Sequence, residues 1–329
     1  MAGFFGLFDY TKVGPGVEKN APVKNRFFVF WEVLFRKFWK IVLVNLLYIA
    51  FLIPVAAACW GLVVLFSGLG FDSMFIVLAF FPVILMGPVT SGVMRLTRDF
   101  AREEPVFLWS DFKQTVKNNF KRSLAIAALQ YLAVLALSAA VPFYWANSTG
   151  NFGLLILFCL SLLVCFFVLF MSFYLYTMQV TLNLTFKKLL KNAALFSMLV
   201  LFKNMLITLV IVAITALFAA VLLIGNIGIP IFTVLFGGLY FGLIFFVISF
   251  ITFPSIQRYI ITPYYESHPE ETSEAITAAK ALPDGGTGGE GEDAEAEERP
   301  LPEYVYENGR MVHRSVIENT WEDEETDNS

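Results

Sequence analysis

The chain of 329 residues is 57% hydrophobic and only 15% charged, with a mean hydropathy of +0.69. Soluble domains carry about 25% charged residues, and a soluble protein of this length could not bury so much apolar surface. These values exclude a soluble globular enzyme, a disordered chain and a secreted disulfide scaffold. The net charge of −4 combines +11 in residues 1–265 with −15 in residues 266–329, so a basic membrane body carries an acidic tail.

Six segments have the length of about 20 apolar residues that a membrane span needs. None of them contains Asp, Glu, Lys, Arg or His. Only helices and closed barrels satisfy the backbone in hydrocarbon, and continuous rather than alternating apolar runs indicate helices. The sequence therefore predicts an all-α polytopic membrane bundle. The predicted spans are Ile41–Phe66, Met74–Met94, Leu124–Trp145, Phe152–Val180, Met205–Ile224 and Pro230–Pro254.

The basic residues predict how these spans are oriented. All 23 Lys and Arg lie before the first span, between the second and third, between the fourth and fifth, or after the sixth. The three other connections, near 67–73, 146–152 and 225–229, contain none. Since Lys and Arg are enriched in cytoplasmic loops, we expect both termini in the cytoplasm. The spans then form three hairpins with short outer loops.

An aromatic and basic segment precedes each predicted hairpin. Asn25–Lys40, Trp109–Arg122 and Thr185–Asn204 have the pattern of amphipathic helices that lie at the headgroup level of a membrane. Each ends with a phenylalanine beside a basic residue, and these phenylalanines are 82 residues apart. The spacing suggests a threefold internal repeat, whereas the alternative is chance among 36 Phe. The expected interfacial or partner contacts are Trp31, Phe38, Lys40, Phe120, Lys121, Phe202 and Lys203.

The polar side chains within the spans leave two interpretations open. They are either packing contacts between helices or the lining of a hydrogen-bonding path for a neutral solute. These polar side chains include Asn45, Thr90, Ser91, Gln130, Ser138, Ser172, Thr177, Gln179 and Asn183. Asn45, Pro54, Gly87 and Pro88 are the candidate helix-break or packing positions, because interrupted spans occur in transporter sites but also as simple kinks. The absence of ionisable span residues argues against a proton-coupled pump.

No catalytic, cofactor or metal site is predicted, and no cofactor or nucleic-acid partner is expected. The motifs of zinc hydrolases, nucleotide-binding loops and serine hydrolases are missing, and both histidines lie in the tail. The carboxylates of Asp99, Glu103, Glu104 and Asp111 lie among Arg and Lys, and we interpret them as solvated ion pairs. An intramembrane enzyme is disfavoured because no nucleophile–base set is visible.

The sequence of the acidic tail predicts two different parts. Residues 266–299 are rich in Glu, Ala, Gly and Thr and predict disorder. Residues 301–321 contain apolar side chains, and Asn308-Gly309 between two short β-prone runs is a hairpin signal. This segment is either a docking peptide for a partner or for the basic cytoplasmic face, or an unstructured terminus. The candidate docking residues are Tyr304, Tyr306, Val312 and Trp321.

The predicted organisation is a cytoplasmic segment (1–40), a six-span domain (41–265) and the tail (266–329). Residues 4–135 resemble the YesL-like family of bacterial integral membrane proteins. The resemblance rests on Phe4–Phe8, Gly14–Val17, Arg36–Trp39, Asn45–Leu47 with Pro54, Gly87–Thr90, and Asp111-Phe112 leading to Lys117–Lys121. It implies a protein of the bacterial cytoplasmic membrane whose relatives have no assigned activity and are often encoded beside carbohydrate-uptake and sensor-kinase genes.

These observations together favour a non-enzymatic accessory or scaffold protein associated with carbohydrate uptake or envelope signalling. Its expected partners are the lipid bilayer and a transporter or signalling subunit, which it would contact through the cytoplasmic helices and the tail. The alternative is a channel or facilitator for a neutral solute, built from the three hairpins. A polar path across the folded bundle would distinguish the two.

Overall fold

A computed structural model describes residues 25–71, 77–267, 304–307 and 310–313. The chain divides into two compact units, Met1–Pro254 and Ser255–Ser329. The described part is helical apart from one short β-hairpin, and five helical stretches are long and apolar enough to cross a membrane. The predicted all-α polytopic membrane bundle is therefore confirmed.

The first hairpin begins with a short amphipathic helix. This helix, α1, starts after Asn25, whose side-chain oxygen accepts a hydrogen bond from the Phe27 amide at 3.2 Å. It ends at Arg36 rather than at the predicted Lys40, since the backbone leaves the helical region at Lys37 and a new helix starts at Phe38. The elements are α1 (Arg26–Arg36), α2 (Phe38–Gly68), a 3₁₀ segment (Val77–Leu85) and α3 (Met86–Ala101).

Three of the four candidate helix-break or packing positions, Pro54, Gly87 and Pro88, behave differently from one another. Helix α2 runs through the exposed Pro54 without interruption. Gly87 and Pro88 lie buried in the first turn of α3, directly after the 3₁₀ segment, where proline is tolerated because its missing amide has no helical partner. A Cβ on Gly87 would lie 2.5 Å from the Ser123 carbonyl oxygen and 2.6 Å from the Ala127 Cβ. Gly87 therefore permits the close approach of α3 to the following helix.

The second hairpin consists of α4 (Leu108–Asn147) and α5 (Phe152–Thr181). The prediction of a separate interfacial helix at Trp109–Arg122 is wrong, because these residues form the beginning of the 40-residue α4. The Asp111 carboxylate accepts a hydrogen bond from the Phe107 amide at 2.8 Å. It thereby supplies a partner for a backbone amide at the start of the helix. At about 1.5 Å per residue α4 is about 60 Å long, twice the hydrocarbon thickness of about 30 Å. The helix is therefore longer than a single span requires, and its first half is the basic part.

The third hairpin contains a sharp reversal. The apolar stretch Leu201–Tyr264 counts as one of the five candidate spans. It folds back at Gly225, whose φ of 80° and ψ of −148° are accessible almost only to glycine. The Thr215 and Tyr240 hydroxyls consequently lie 3.1 Å apart. The elements are α6 (Phe186–Leu199), α7 (Leu201–Ala220), a 3₁₀ segment (Val221–Ile227), α8 (Gly228–Leu235), a π turn (Phe236–Tyr240) and α9 (Phe241–Ile256).

The second unit adds a π turn (Gln257–Ile261), α10 (Thr262–Ser267) and two antiparallel strands. Strand β1 (Tyr304–Glu307) pairs with β2 (Arg310–His313), with Tyr304 opposite His313 and Val305 opposite Val312. The predicted antiparallel pairing of the two β-prone runs is therefore confirmed, and the turn residues Asn308-Gly309 lie outside the described residues. The docking role of Tyr304, Tyr306 and Val312 stays a prediction. Trp321 and residues 268–303 lie outside the described residues.

The core of the first unit lies at the end of the bundle that carries Lys37, Arg95–Arg102 and Lys113–Arg122, here called the charged end. Buried apolar residues from α1, α2, α3, α4 and α9 form one cluster there. In the candidate span Val77–Ala101, 56% of the most apolar stretch is buried, whereas the corresponding share in the other four spans is 6 to 11%. Helix α3 is therefore the central helix, and the opposite ends of the spans present their apolar side chains outward.

We expect Gly87→Ala to destabilise the bundle by about 1–3 kcal/mol, because its methyl group would overlap the backbone of α4. Gly61→Ala is the matched control, since Gly61 is also helical and a Cβ there would meet nothing within 4 Å. Thermal unfolding of the purified variants in detergent measures the difference. Equal unfolding temperatures would contradict the close packing of α3 on α4.

Candidate functional site

A buried ion pair lies at the charged end of α3. Arg98 and Asp99 are 2% and 3% exposed. The Arg98 guanidinium donates to one Asp99 oxygen from Nε at 2.8 Å and from Nη2 at 2.6 Å, and the other Asp99 oxygen accepts from Arg95 Nε at 2.8 Å. The interpretation of Asp99 as a solvated carboxylate is wrong. Because the sequence predicts that the second span ends at Met94, it places these residues in a loop, whereas α3 continues to Ala101.

Arg98 also connects α3 to the second hairpin. Its Nη1 atom donates to the Val180 carbonyl at 2.6 Å and to the Thr181 hydroxyl at 3.3 Å. These groups lie in the last turn of α5, where carbonyls have no partner within the helix and a cation interacts favourably with the helix dipole. The guanidinium therefore satisfies a buried carboxylate and a helix end at once.

Hydroxyl groups join the three central helices beside this ion pair. The Thr97 and Ser249 hydroxyls are 2.9 Å apart and link α3 to α9, and the Ser249 hydroxyl lies 3.5 Å from the Met94 sulfur. The Thr252 hydroxyl lies 3.5 Å from that of Thr177 and links α9 to α5. All four hydroxyl residues are fully buried. For Thr177, the structure therefore shows a contact between helices.

Asn45 binds the π turn of the third hairpin to α2. Its Nδ2 atom donates to the Gly237 carbonyl at 2.5 Å and the Phe236 carbonyl at 3.3 Å. Its Oδ1 atom accepts from the amides of Phe241 and Gly242 at 2.8 and 3.0 Å. A π turn leaves backbone groups without their usual helical partners, and one fully buried amide supplies four bonds there. Asn45 is thus a packing position.

Asn204 has the corresponding role between α6 and α7. The fully buried side chain donates to the Phe196 and Ser197 carbonyls at 3.2 and 3.1 Å, which closes the end of α6. Its oxygen accepts from the Tyr174 hydroxyl of α5 at 2.8 Å. The sequence alone gives no sign of this role, because it predicts that Asn204 ends an interfacial helix.

Gln179 lies between α5 and α4 and is 4% exposed. Its Nε2 atom donates to the Ser123 hydroxyl at 2.7 Å. Its Oε1 atom is the one buried side-chain polar atom without a hydrogen-bond partner among the residues that the structure describes. Such an atom costs about 1–3 kcal/mol when it is left unsatisfied. Gln179 lines a cavity of about 210 Å³ between α3, α4 and the end of α5.

The junction of α1 and α2 is held by its own polar contacts. Arg36 forms an ion pair with Glu103 of the loop after α3, and both side chains are about half exposed. The Lys37 ammonium donates to the Glu104 carbonyl at 3.1 Å and lies 5.3 Å from the centroid of the Phe100 ring. Burial lowers the pKa of Lys37, and the charges of Lys40 and Arg36 lower it further. Glu103 and Asp99 partly oppose this effect.

The predicted interfacial residues surround the charged end. Phe38 and Phe202 lie in the first turns of α2 and α7, and Phe120 lies inside α4. Phe38 is half-buried, whereas the other members are exposed: Trp31, Lys40, Phe120, Lys121, Phe202 and Lys203. Whether they contact a partner stays a prediction, as does the 82-residue repeat.

Within the described ranges, no group of three or more His, Cys, Asp or Glu side chains is placed to hold a metal ion. The charges of the site are instead paired with each other and with backbone groups. The arrangement can position helices and, at the cavity beside Gln179, offer hydrogen bonds to a small polar ligand.

Residues 41–141 match the model of a family described as a protein of unknown function, DUF624. The matched segment covers less than half of the chain and overlaps the segment that resembles the YesL-like family. It contains most of α2, all of α3 and most of α4, and therefore Asn45, Gly87 and the Arg98–Asp99 pair. No curated protein and no solved structure matches the chain.

Replacement of Arg98 should destabilise the bundle strongly. In Arg98→Met the Asp99 carboxylate loses one of its two cationic partners, and the expected cost is about 3–5 kcal/mol. The double variant Arg98→Met with Asp99→Leu should recover part of this loss, because it buries no unpaired carboxylate. Chemical unfolding in detergent measures both.

Arg36→Met is the matched control, since its ion pair with Glu103 is half exposed. Such exposed pairs contribute about 0–1 kcal/mol. If Arg98→Met costs no more than Arg36→Met, the buried pair does not hold the bundle together.

Proposed function

We propose that the chain is a non-enzymatic accessory or scaffold protein of the bacterial inner membrane, associated with carbohydrate uptake or envelope signalling. The observation that carries the proposal is the concentration of packing at the charged end, where the rigid part of the bundle displays exposed aromatic side chains. Trp31 is 42% exposed, Phe120 47% and Phe202 86%. Aromatic residues on a rigid support are the usual anchors of protein interfaces.

The shape of the charged end also favours contact with a partner. The basic first half of α4 extends beyond the hydrocarbon, and α1 and α6 are short helices that start outside the spans. A partner on this side would meet preformed helices rather than a chain that must order on binding, which lowers the entropic cost of association.

The packing between the inner helices at the charged end supports this function over a facilitator for a neutral solute. Thr97, Ser249 and Thr252 bring the inner helices into contact at the charged end. A facilitator needs a polar path at this position, and here the hydroxyls bond to one another instead.

Two sequence features support the location and the association. The distribution of Lys and Arg supports a cytoplasmic location for both termini, and hence for the charged end. The family match at residues 41–141 is consistent with the YesL-like resemblance, which supplies the association with carbohydrate uptake or sensing.

Affinity purification of the full chain from its native membrane tests the proposal. We expect a transporter or sensor-kinase subunit to copurify with the wild type. The triple variant Trp31→Ala, Phe120→Ala and Phe202→Ala should lower the recovery of this partner subunit about tenfold or more, which is equivalent to about 1.4 kcal/mol. Quantitative mass spectrometry measures the recovery.

The matched control replaces three exposed aromatic residues at the opposite end, Phe143, Trp145 and Phe152. We expect this variant to retain the partner. Deletion of residues 300–329 forms a separate arm that reports on the tail. Recovery of no transporter or signalling subunit with the wild type, or equal loss in both triple variants, would count against the proposal.

A further inference from the structure

An open cavity with a mostly polar lining lies beside Gln179. Its volume is about 210 Å³, and it opens between three helices at the charged end. Four of its eight lining residues carry a primary amide, and one carries a hydroxyl group. Amides offer donors and acceptors at once, which suits ligands with several hydroxyl groups. The lining residues are Arg95, Asp111, Gln114, Thr115, Asn118, Asn119, Gln179 and Val180.

An unpartnered polar atom lies in the wall of this cavity, on Gln179. The side chain is 4% exposed, and Oε1 is the buried polar atom for which the described residues supply no hydrogen bond. The Ser123 hydroxyl that contacts Nε2 can donate or accept. In either orientation of the amide, therefore, one polar atom of Gln179 lacks a partner. Such atoms are rare in native interiors, and a bound water molecule or a ligand that reaches the cavity wall would satisfy this one.

The walls of the cavity are fixed by other contacts. Asn119 donates to the Thr115 carbonyl at 3.2 Å, and the Thr115 hydroxyl donates to the Asp111 carbonyl at 2.6 Å. Arg95 is held by Asp99 at 2.8 Å, and the Val180 carbonyl is held by Arg98. Side chains that are positioned before binding lose little entropy when a ligand enters.

A second, basic cavity adjoins the first. Its volume is about 540 Å³, and it shares Asn118 and Asn119 with the smaller cavity. Three cationic side chains line it, and none of its lining residues is acidic. Clusters of Lys and Arg favour phosphate groups. The cations are Lys117, Lys121 and Arg122.

We propose that the two adjoining cavities bind a phosphate ester of a polyol. Its hydroxyl groups hydrogen bond to Gln179 and the amides of α4, and its phosphate lies against Lys117, Lys121 and Arg122. A free sugar phosphate and the headgroup of phosphatidylglycerol share this chemistry. The proposal does not depend on the accessory function, because a bundle without a protein partner could still hold this ligand.

Equilibrium titration of the full chain in phosphatidylcholine nanodiscs tests the free ligand, with glucose 6-phosphate as the probe. We expect saturable binding that is about tenfold tighter than that of glucose or inorganic phosphate. Gln179→Leu, Asn118→Leu and Lys121→Gln should each weaken it about tenfold. Gln130→Leu and Lys40→Gln are the controls, since neither residue lines the cavities, and they should bind as the wild type does.

A second arm tests the lipid source. Nanodiscs with added phosphatidylglycerol are dissolved, and native mass spectrometry counts the lipids that remain on the protein. Retention by the wild type that is lost in Gln179→Leu and in Asn118→Leu assigns the site to the headgroup. Because Asn118 is exposed on α4, its variant also remains interpretable if the buried substitution impairs folding.

Three results would overturn the proposal. One is that neither glucose 6-phosphate nor phosphatidylglycerol binds. Another is that glucose or inorganic phosphate binds as tightly as the ester, which would reduce the site to simple hydroxyl or charge attraction. The last is that binding persists unchanged in both Gln179→Leu and Asn118→Leu. Loss of the protein partner has no bearing on these readouts, so the two proposals fail separately.

Discussion

Polar contacts between helices are the constraint on which this bundle depends. In lipid, apolar side chains gain little from burial against each other, and close packing with hydrogen bonds must hold helices together. Arg98 supplies such contacts for α3 and α5, Asn45 for α2 and the π turn, and Asn204 for α5, α6 and α7. All of these lie near the charged end, which explains why the core of the first unit is concentrated there.

The same constraint explains why few side chains are buried at the opposite ends of the spans. Residues such as Trp60, Trp145 and Leu223 are 71%, 64% and 87% exposed, which would be costly in water. In a bilayer these side chains meet hydrocarbon, so exposure carries no comparable penalty. The bundle therefore combines a well-packed, polar-bonded end with apolar spans that are mostly exposed at the other end, and both proposals place recognition at the packed end.

Part of the site follows from sequence. A polar side chain within an apolar run predicts a partner for it, and this argument correctly directs attention to Asn45, Thr177 and Gln179. It fails for Asp99, because a carboxylate at the predicted end of a span is usually solvated. Only the continuation of α3 to Ala101 and the approach of α5, whose Val180 carbonyl is 82 residues from Arg98, bury the pair.

The sequence by itself determined the helical membrane class, the hairpin at residues 308–309 and the placement of charge outside the apolar runs. These are local properties of composition and spacing. Tertiary structure decided which helix is central, how α4 continues through Trp109–Arg122, and why the Gln179 Oε1 atom has no hydrogen-bond partner among the described residues. The reason is that these features depend on groups far apart in the chain, as with Asn45 and the Gly242 amide, which are separated by 197 residues.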